Sequence, residues 1–197
     1  MREVELKGVA DDPHAVQRSL AAAGAELVYE GRLRDRRYDT VARALIARDE
    51  VLRLRVYDGK GSGEAMLDWK GPTTYADGYK VREEISTSAG DGEVLAMMLE
   101  RLGYEVIRGI DREIAQYTVC GATVRMEWYP RMDVLIEVEG EPAAIEAAIA
   151  VLGVPRANFT SERLPDFVAR FEARTGQRAA ICQRELEGDY RYGARDA

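Results

Sequence analysis

Glu3-Val4-Glu5-Leu6-Lys7 sets two carboxylates and an ammonium in strict alternation with two apolar residues. Successive side chains of a β-strand point to opposite faces, so the stretch predicts a strand with one charged and one apolar face. A single strand of this kind is ordinarily explained by a charged face turned to water. What matters is whether other strands repeat the pattern.

They do. Residues 51–57 set Arg53 and Arg55 against Leu52, Leu54 and Val56. Residues 78–87 set Lys80, Arg82 and Glu84 against Val81, Glu83 and Ile85, a less perfect apolar face. Residues 122–128 oppose Arg125 and Glu127 to Val124 and Met126, and residues 133–139 oppose Glu137 and Glu139 to Ile136 and Val138. Lys70 ends a strand over 65–70, and Arg112 lies in a strand over 106–117, bent near Gly109 and joined to its neighbour by the turn Cys120-Gly121. Residues 26–39 have β character too, with a basic run of Arg32, Arg34, Arg36 and Arg37 that reads as a solvated face. The loop Lys60-Gly61-Ser62-Gly63 lacks the spacing of a phosphate-binding loop and reads as a hairpin connection.

Helices fall between the strands. Asp12-Pro13 starts one with Val16, Leu20, Ala21 and Ala23 as its stripe, ending at Gly24. Residues 91–102 predict a second, with Val94, Leu95, Met98, Leu99 and Leu102 buried. A third follows Glu141-Pro142, with Ile145, Ala148, Ile149 and Leu152 inward; the fourth is expected to be capped by Thr160-Ser161-Glu162 and to carry Phe167, Val168 and Phe171 to Gly176. The class is therefore α+β. A domain over 1–176 is expected, followed by a weakly structured appendage over 177–197.

Composition narrows the function. The chain has 197 residues, 28 basic and 35 acidic, for a net charge of −7. One domain suffices. The acidic balance argues against sequence-independent nucleic-acid binding, which relies on basic surfaces. No secretory leader or membrane-length apolar stretch is read. Cys120 and Cys182 form no Cys-x-x-Cys pair, so neither zinc nor a redox dithiol is indicated and a cytoplasmic location is expected. The lone histidine, His14, reads as a surface or capping residue.

Two arrangements bury the same apolar residues: a sheet with its charges in water, or a closed barrel with its charges inside and helices outside. Periodicity leaves both open. A closed interior crowded with arginine and lysine would need an anion, and clustered glutamates would need a cation. A polyphosphate with a divalent metal satisfies both.

The motifs resemble a known family. Glu3-x-Glu5-x-Lys7, Arg53-x-Arg55, Leu67-Asp68-Trp69-Lys70-Gly71-Pro72, Arg82-Glu83-Glu84, Arg112-Glu113 and Glu137-Val138-Glu139-Gly140 are similar, in order, to the signature of the CYTH superfamily, the triphosphate tunnel metalloenzymes. The resemblance covers about residues 1 to 175 and implies an antiparallel closed barrel of about eight strands. It implies that Glu3, Glu5, Glu137 and Glu139 hold Mg2+ or Mn2+, with Glu127 standing where the family usually has aspartate and Glu84 as a further carboxylate. Lys7, Arg53, Arg55, Lys70, Arg82 and Arg112 would grip the triphosphate, and Lys80 and Arg125 share that face. Glu5, Glu137 and Lys7 would be catalytic. Three departures bear on substrate choice: Ile110 where the family commonly has a basic residue, Trp128-Tyr129-Pro130-Arg131-Met132-Asp133 before the last acidic strand, and Ser161-Glu162 in place of a Ser-Tyr pair.

The function so implied is metal-dependent hydrolysis of an inorganic or organic triphosphate. Its competitors are conversion of ATP to cyclic AMP and pyrophosphate, a non-catalytic polyphosphate binder, and a plain solvated sheet. The expected partner is a small-molecule triphosphate, without nucleic acid or membrane; the outer helices are compatible with a homodimer.

Overall fold

The alternating segments become strands of one continuous sheet. The computed structural model describes residues 2–59 and 62–192; Lys60 and Gly61 of the glycine-rich loop lie outside the described residues. The chain runs β1 (Arg2–Val9), α1 (Pro13–Ala22), β2 (Glu26–Thr40), β3 (Val51–Gly59), β4 (Ser62–Lys70), β5 (Thr74–Ala76), β6 (Tyr79–Ala89), α2 (Gly92–Arg101), β7 (Tyr104–Val119), β8 (Ala122–Trp128), β9 (Leu135–Glu139), α3 (Pro142–Val151), α4 (Leu164–Thr175) and α5 (Gln183–Leu186). The strand order is β1-β9-β8-β7-β2-β3-β4-β6-β5, and β1 also pairs with β6. Eight antiparallel strands thereby close into a barrel, and β5 adds to the edge of β6.

Register decides which faces meet. Glu5 lies opposite Lys80 on β6 and Glu139 on β9; Lys7 lies opposite Glu137, Asp35 opposite Arg55, and Arg53 opposite Asp68. Directly opposed residues share a face, so the charged faces all point into the barrel. The apolar faces pack outward. Val4, Leu6, Val124, Met126, Ile136 and Val138 meet Val16 and Leu20 of α1 and Ile145, Ala148 and Ile149 of α3. The hairpin turn Cys120-Gly121 has both residues at positive φ, 51° and 76°, the geometry that matches strand twist.

Three local expectations are corrected. On α2 the buried residues are Ala96 and Leu99, while Val94, Met98 and Leu102 are exposed, Leu102 by 72%. The helix presses on the barrel through Gly92, Ala96 and Leu99; a Cβ on Gly92 would stand 3.1 Å from the Cβ of Ala65. Small residues let the backbone approach, and hydrophobic spacing does not register them. The cap of α4 is Arg163, whose amide donates to Asp166 at 2.9 Å, while Thr160 exchanges backbone bonds with Lys7. The basic run of β2 divides by the pleat. Arg34 and Arg36 face outward to Asp58 and Glu93, but Arg37 turns into the barrel.

Past Gly176, residues 179–182 and 185 are packed rather than loose. Ala179, Ala180, Ile181 and Cys182 are buried, Ala180 bridges Arg131, and Glu185 forms a buried ion pair with Arg108 at 2.8 Å. With Leu164, Phe167 and Phe171 of α4, Ala179 and Ile181 cover the inward-facing Ile110 and Leu135 at one end of the barrel. The apolar signal there is only a few residues long, too short for periodicity to detect. Ending the chain at Gly176 is expected to leave Arg108 buried without its carboxylate and to lower the melting temperature by roughly 10 °C. A thermal melt unchanged within about 2 °C would remove the tail from the stability of the barrel. Among the described residues, no helix is long and apolar enough to cross a membrane.

Candidate functional site

The barrel encloses a cavity of about 410 Å³, within the roughly 300–1,000 Å³ of small-ligand sites. Among the described residues, ten basic and ten acidic side chains line it. Each motif residue expected on the charged face is there: Glu3, Glu5 and Lys7 from β1, Arg53 and Arg55 from β3, Lys70 from β4, and Lys80, Arg82 and Glu84 from β6. Arg112, Arg125, Glu127, Glu137 and Glu139 complete the wall from β7, β8 and β9. The alternation of period two and the closure of the sheet bring them together from positions as far apart as 3 and 139.

The lining is a network of ion pairs. Lys7 donates to Glu5 at 2.8 Å and to Glu137; Lys80 donates to Glu5 at 2.6 Å, and Arg125 to Glu137 at 2.7 Å. Lys70 donates to both oxygens of Glu3, at 2.5 and 2.7 Å, and lies 3.3 Å from Glu84. Arg82 differs, donating to the backbone carbonyls of Gly71 and Asp49 and so tying two loops to the barrel.

Asp35 and Asp68, to which the motifs assign no role, carry much of the balance. Asp35 accepts from Arg55 at 2.8 and 3.0 Å and from Arg112 at 3.1 Å; Asp68 accepts from Arg53 at 2.8 Å. The signal was present for Asp68, two residues before Lys70 on the same face. Asp35 was hidden within a basic run. Tyr129, beyond the end of β8, donates its hydroxyl to Glu127 at 2.7 Å, and Glu127 also accepts from Arg112 at 2.8 Å.

Electrostatics follow from these contacts. Burial alone would raise Glu5, but Lys7 and then Lys80 reverse this and bring it down to about 2. Burial would likewise raise Glu137, and Lys7 and Arg125 hold it well below the usual carboxylate range. The Asp35 carboxyl, also penalised by burial, is held low by Arg55, Arg112 and Arg53. Lys7 is raised: burial opposes its charge, but Glu137 and Glu5 more than compensate. Burial pushes the Tyr129 phenol well up, with Glu127 adding to it.

Two lining groups stand apart. The side chain of Glu139 makes no hydrogen bond or ion pair among the described residues, and burial, then the charges of Glu137 and Glu3, push its carboxyl up to about 7. Arg37 likewise has no ion pair or hydrogen bond among them, and its Nε is withdrawn from solvent without an acceptor. Burial, then the charge of Arg53, bring Arg37 down to about 9.

The Glu139 shift has a testable sign. Its carboxyl titrates near 7 in the fold against an ordinary 4.5, so between these values the folded chain holds the extra proton. Stability therefore falls as pH rises from 4.5 to about 7 and the penalty is complete above it, up to about 3 kcal/mol. In metal-free buffer, Glu139→Gln is expected to melt above the parent at about pH 8 and to converge with it near pH 5. A difference that does not vary with pH would refute the shift.

Among the described residues, no three carboxylate, thiolate or imidazole groups stand as a ready metal cluster. Lys7 lies between Glu5 and Glu137, where such a cluster would otherwise form. The donor chemistry nonetheless suits a hard divalent cation: Glu3, Glu5, Glu137 and Glu139 share one face on adjacent strands, and the repulsion felt at Glu139 is what a cation would relieve.

Comparison with known proteins matches the geometry. The fold is shared with an adenylate cyclase candidate from Vibrio parahaemolyticus, at 21% identity and a TM-score of 0.71 over 85% of this chain and 97% of that one. A protein from Pyrococcus horikoshii OT3 aligns at 26% identity and a TM-score of 0.68, over 85% of this chain and 98% of the other. HpAC1 from Hippeastrum, a candidate adenylyl cyclase described as having a dominant triphosphatase activity, aligns at 19% identity and a TM-score of 0.61, over 87% and 95%. No curated protein matches the chain. The sequence profile of the CYTH domain spans residues 1–151, the stretch that supplies all nine strands and every motif residue of the cavity, and the chain belongs to the CYTH domain family.

Proposed function

We propose that the protein hydrolyses a triphosphate inside its barrel with the help of Mg2+ or Mn2+. The observation that carries this reading is the pair of uncompensated groups in the cavity, the cationic Arg37 and the carboxyl of Glu139. One ligand of each sign answers both, and a metal–triphosphate supplies them together.

Glu3, Glu5, Glu137 and Glu139 would hold the metal, which when bound polarises phosphoryl oxygens and acidifies a water. Lys7 and Lys80 release these carboxylates and turn to the phosphates as substrate enters. Arg53, Arg55, Lys70, Arg112 and Arg125 face the phosphoryl oxygens and stabilise the charge that spreads over them in transfer. Asp35, Asp68 and Glu84 hold those bases in place, and Glu127 with Tyr129 orients Arg112. Water attacks the terminal phosphorus, the bridging P–O bond breaks, and orthophosphate leaves with a diphosphate. No nucleophilic side chain is required.

A second reading, cyclisation of ATP, gains support from Tyr57, which lines the cavity edge-on to Tyr29 at 5.1 Å and offers a face for a base. The discriminating experiment incubates the protein with inorganic triphosphate, thiamine triphosphate and ATP, each with magnesium and with manganese, and identifies the products. Orthophosphate is the expected product. Cyclic AMP with pyrophosphate would replace hydrolysis by cyclisation, and tight binding without turnover would reduce the barrel to a polyphosphate-binding module.

A further inference from the structure

Three arginines stand side by side across three strands. Arg37 on β2 is directly opposite Arg53 on β3 and Arg108 on β7, and like charges opposed in this way repel. Two of the three are neutralised. Arg53 pairs with Asp68 at 2.7 Å and Glu84 at 3.3 Å, and Arg108 with Glu185 at 2.8 Å. Arg37 is left over: it lines the cavity and, unlike the other two, has no ion pair among the described residues, while its buried Nε, like that of Arg108, has no acceptor. It belongs to none of the motifs that defined the charged faces.

We propose that Arg37 binds the terminal phosphoryl group of the substrate, which is taken up at the end of the barrel covered by α4. This rests on the triphosphate reading above and goes beyond it by assigning both a binding residue and an orientation. A guanidinium presents its N–H donors as a planar fork that fits two phosphoryl oxygens at once, and the terminal group of a triphosphate offers the most charge. Ile110 and Leu164 line this end, and the Arg163 and Asp49 side chains beside them are already engaged with each other at 2.9 and 3.1 Å rather than turned to a sugar or a base. Tyr57 lies four residues along β3 from Arg53, about 13 Å at the rise of a strand. An organic substituent is therefore directed toward Tyr57, and a terminal phosphoryl toward Arg37.

The test is calorimetric binding of inorganic triphosphate in EDTA, with melting curves taken with and without it, for the parent, Arg37→Gln and Arg37→Met. Arg37→Met keeps the packing of the aliphatic stem, so a folded variant is available if the amide is not tolerated. Without triphosphate both variants are expected to melt about 2–4 °C above the parent, because the unpaired charge is gone. With it, they are expected to bind about 10- to 100-fold more weakly and to lose most of the ligand-induced rise in melting temperature. A role confined to structure predicts the reverse, a lower melting temperature with unchanged affinity, and that result overturns the assignment. Variants that bind like a triphosphate-binding parent overturn the role of Arg37 and leave the barrel reading standing. A parent that does not bind triphosphate overturns both.

Discussion

Asp35→Asn is expected to lower the melting temperature by roughly 10 °C or more, the largest stability effect of any single substitution in the barrel wall. The carboxylate is 3% exposed, accepts two hydrogen bonds from Arg55 and one from Arg112, and has Arg53 at 3.8 Å. Asparagine keeps the volume but removes the charge and turns an amide NH2 toward guanidinium groups. Arg55 then has no carboxylate partner, and removing one member of a buried pair typically costs about 3–5 kcal/mol. Arg112 keeps Glu127. The measurement is a thermal melt of Asp35→Asn, Arg55→Met and the double variant. The double variant is expected to be more stable than Asp35→Asn alone, since it removes the stranded charge. A melting point for Asp35→Asn within about 2 °C of the parent would show that the cavity already hydrates these arginines.

Glu137→Gln is expected to lower turnover of the preferred triphosphate by roughly a thousandfold or more, the loss of several kcal/mol of charge stabilisation at the metal. Glu137 lies between Lys7 and Arg125, opposite both in register, and both hold its carboxyl in the charged form. Glutamine preserves the shape and removes the anionic oxygen. Lys7 retains Glu5 as a partner, so the barrel is expected to fold, as far-UV circular dichroism and a melt would establish. The diagnostic pairing is turnover against binding. In EDTA the variant should bind triphosphate at least as tightly as the parent, because one competing carboxylate has gone, yet it should not turn over when magnesium is restored. Full turnover would remove Glu137 from the metal site.

Much of this site was legible because a strand's period of two is short and local. Glu3, Glu5 and Lys7, or Arg53 and Arg55, declare their shared face within a few residues. Asp35 and Arg37 obey the same rule, but within Arg32–Arg37 basic residues fall on both faces, so the alternation is masked and the run looks like a solvated surface. Tyr129 lies beyond the last regular residue of β8, where period carries no information. The misread face of α2 has a different origin. Its spacing permits two apolar stripes, and the one that meets the barrel is chosen by the small Gly92 and Ala96. The end of the barrel covered by α4 and residues 179–182 was not legible either, since it is assembled from short apolar pieces distant in sequence.

The sequence by itself determined the strands, the composition of each face and the resemblance to the CYTH family, because side-chain alternation and motif order are properties of neighbours along the chain. Periodicity left open whether the charged faces met water or one another, since both arrangements bury the same apolar residues, and the closed barrel was expected from the resemblance alone. Only the pairing of β1 with β6 decided it, by closing the sheet. That closure set most of the bases against carboxylates from other strands, tied Arg82 to backbone carbonyls, and left Arg37 and Glu139 unmatched. Pairing and its failure depend on distances across the barrel, and no local pattern encodes those.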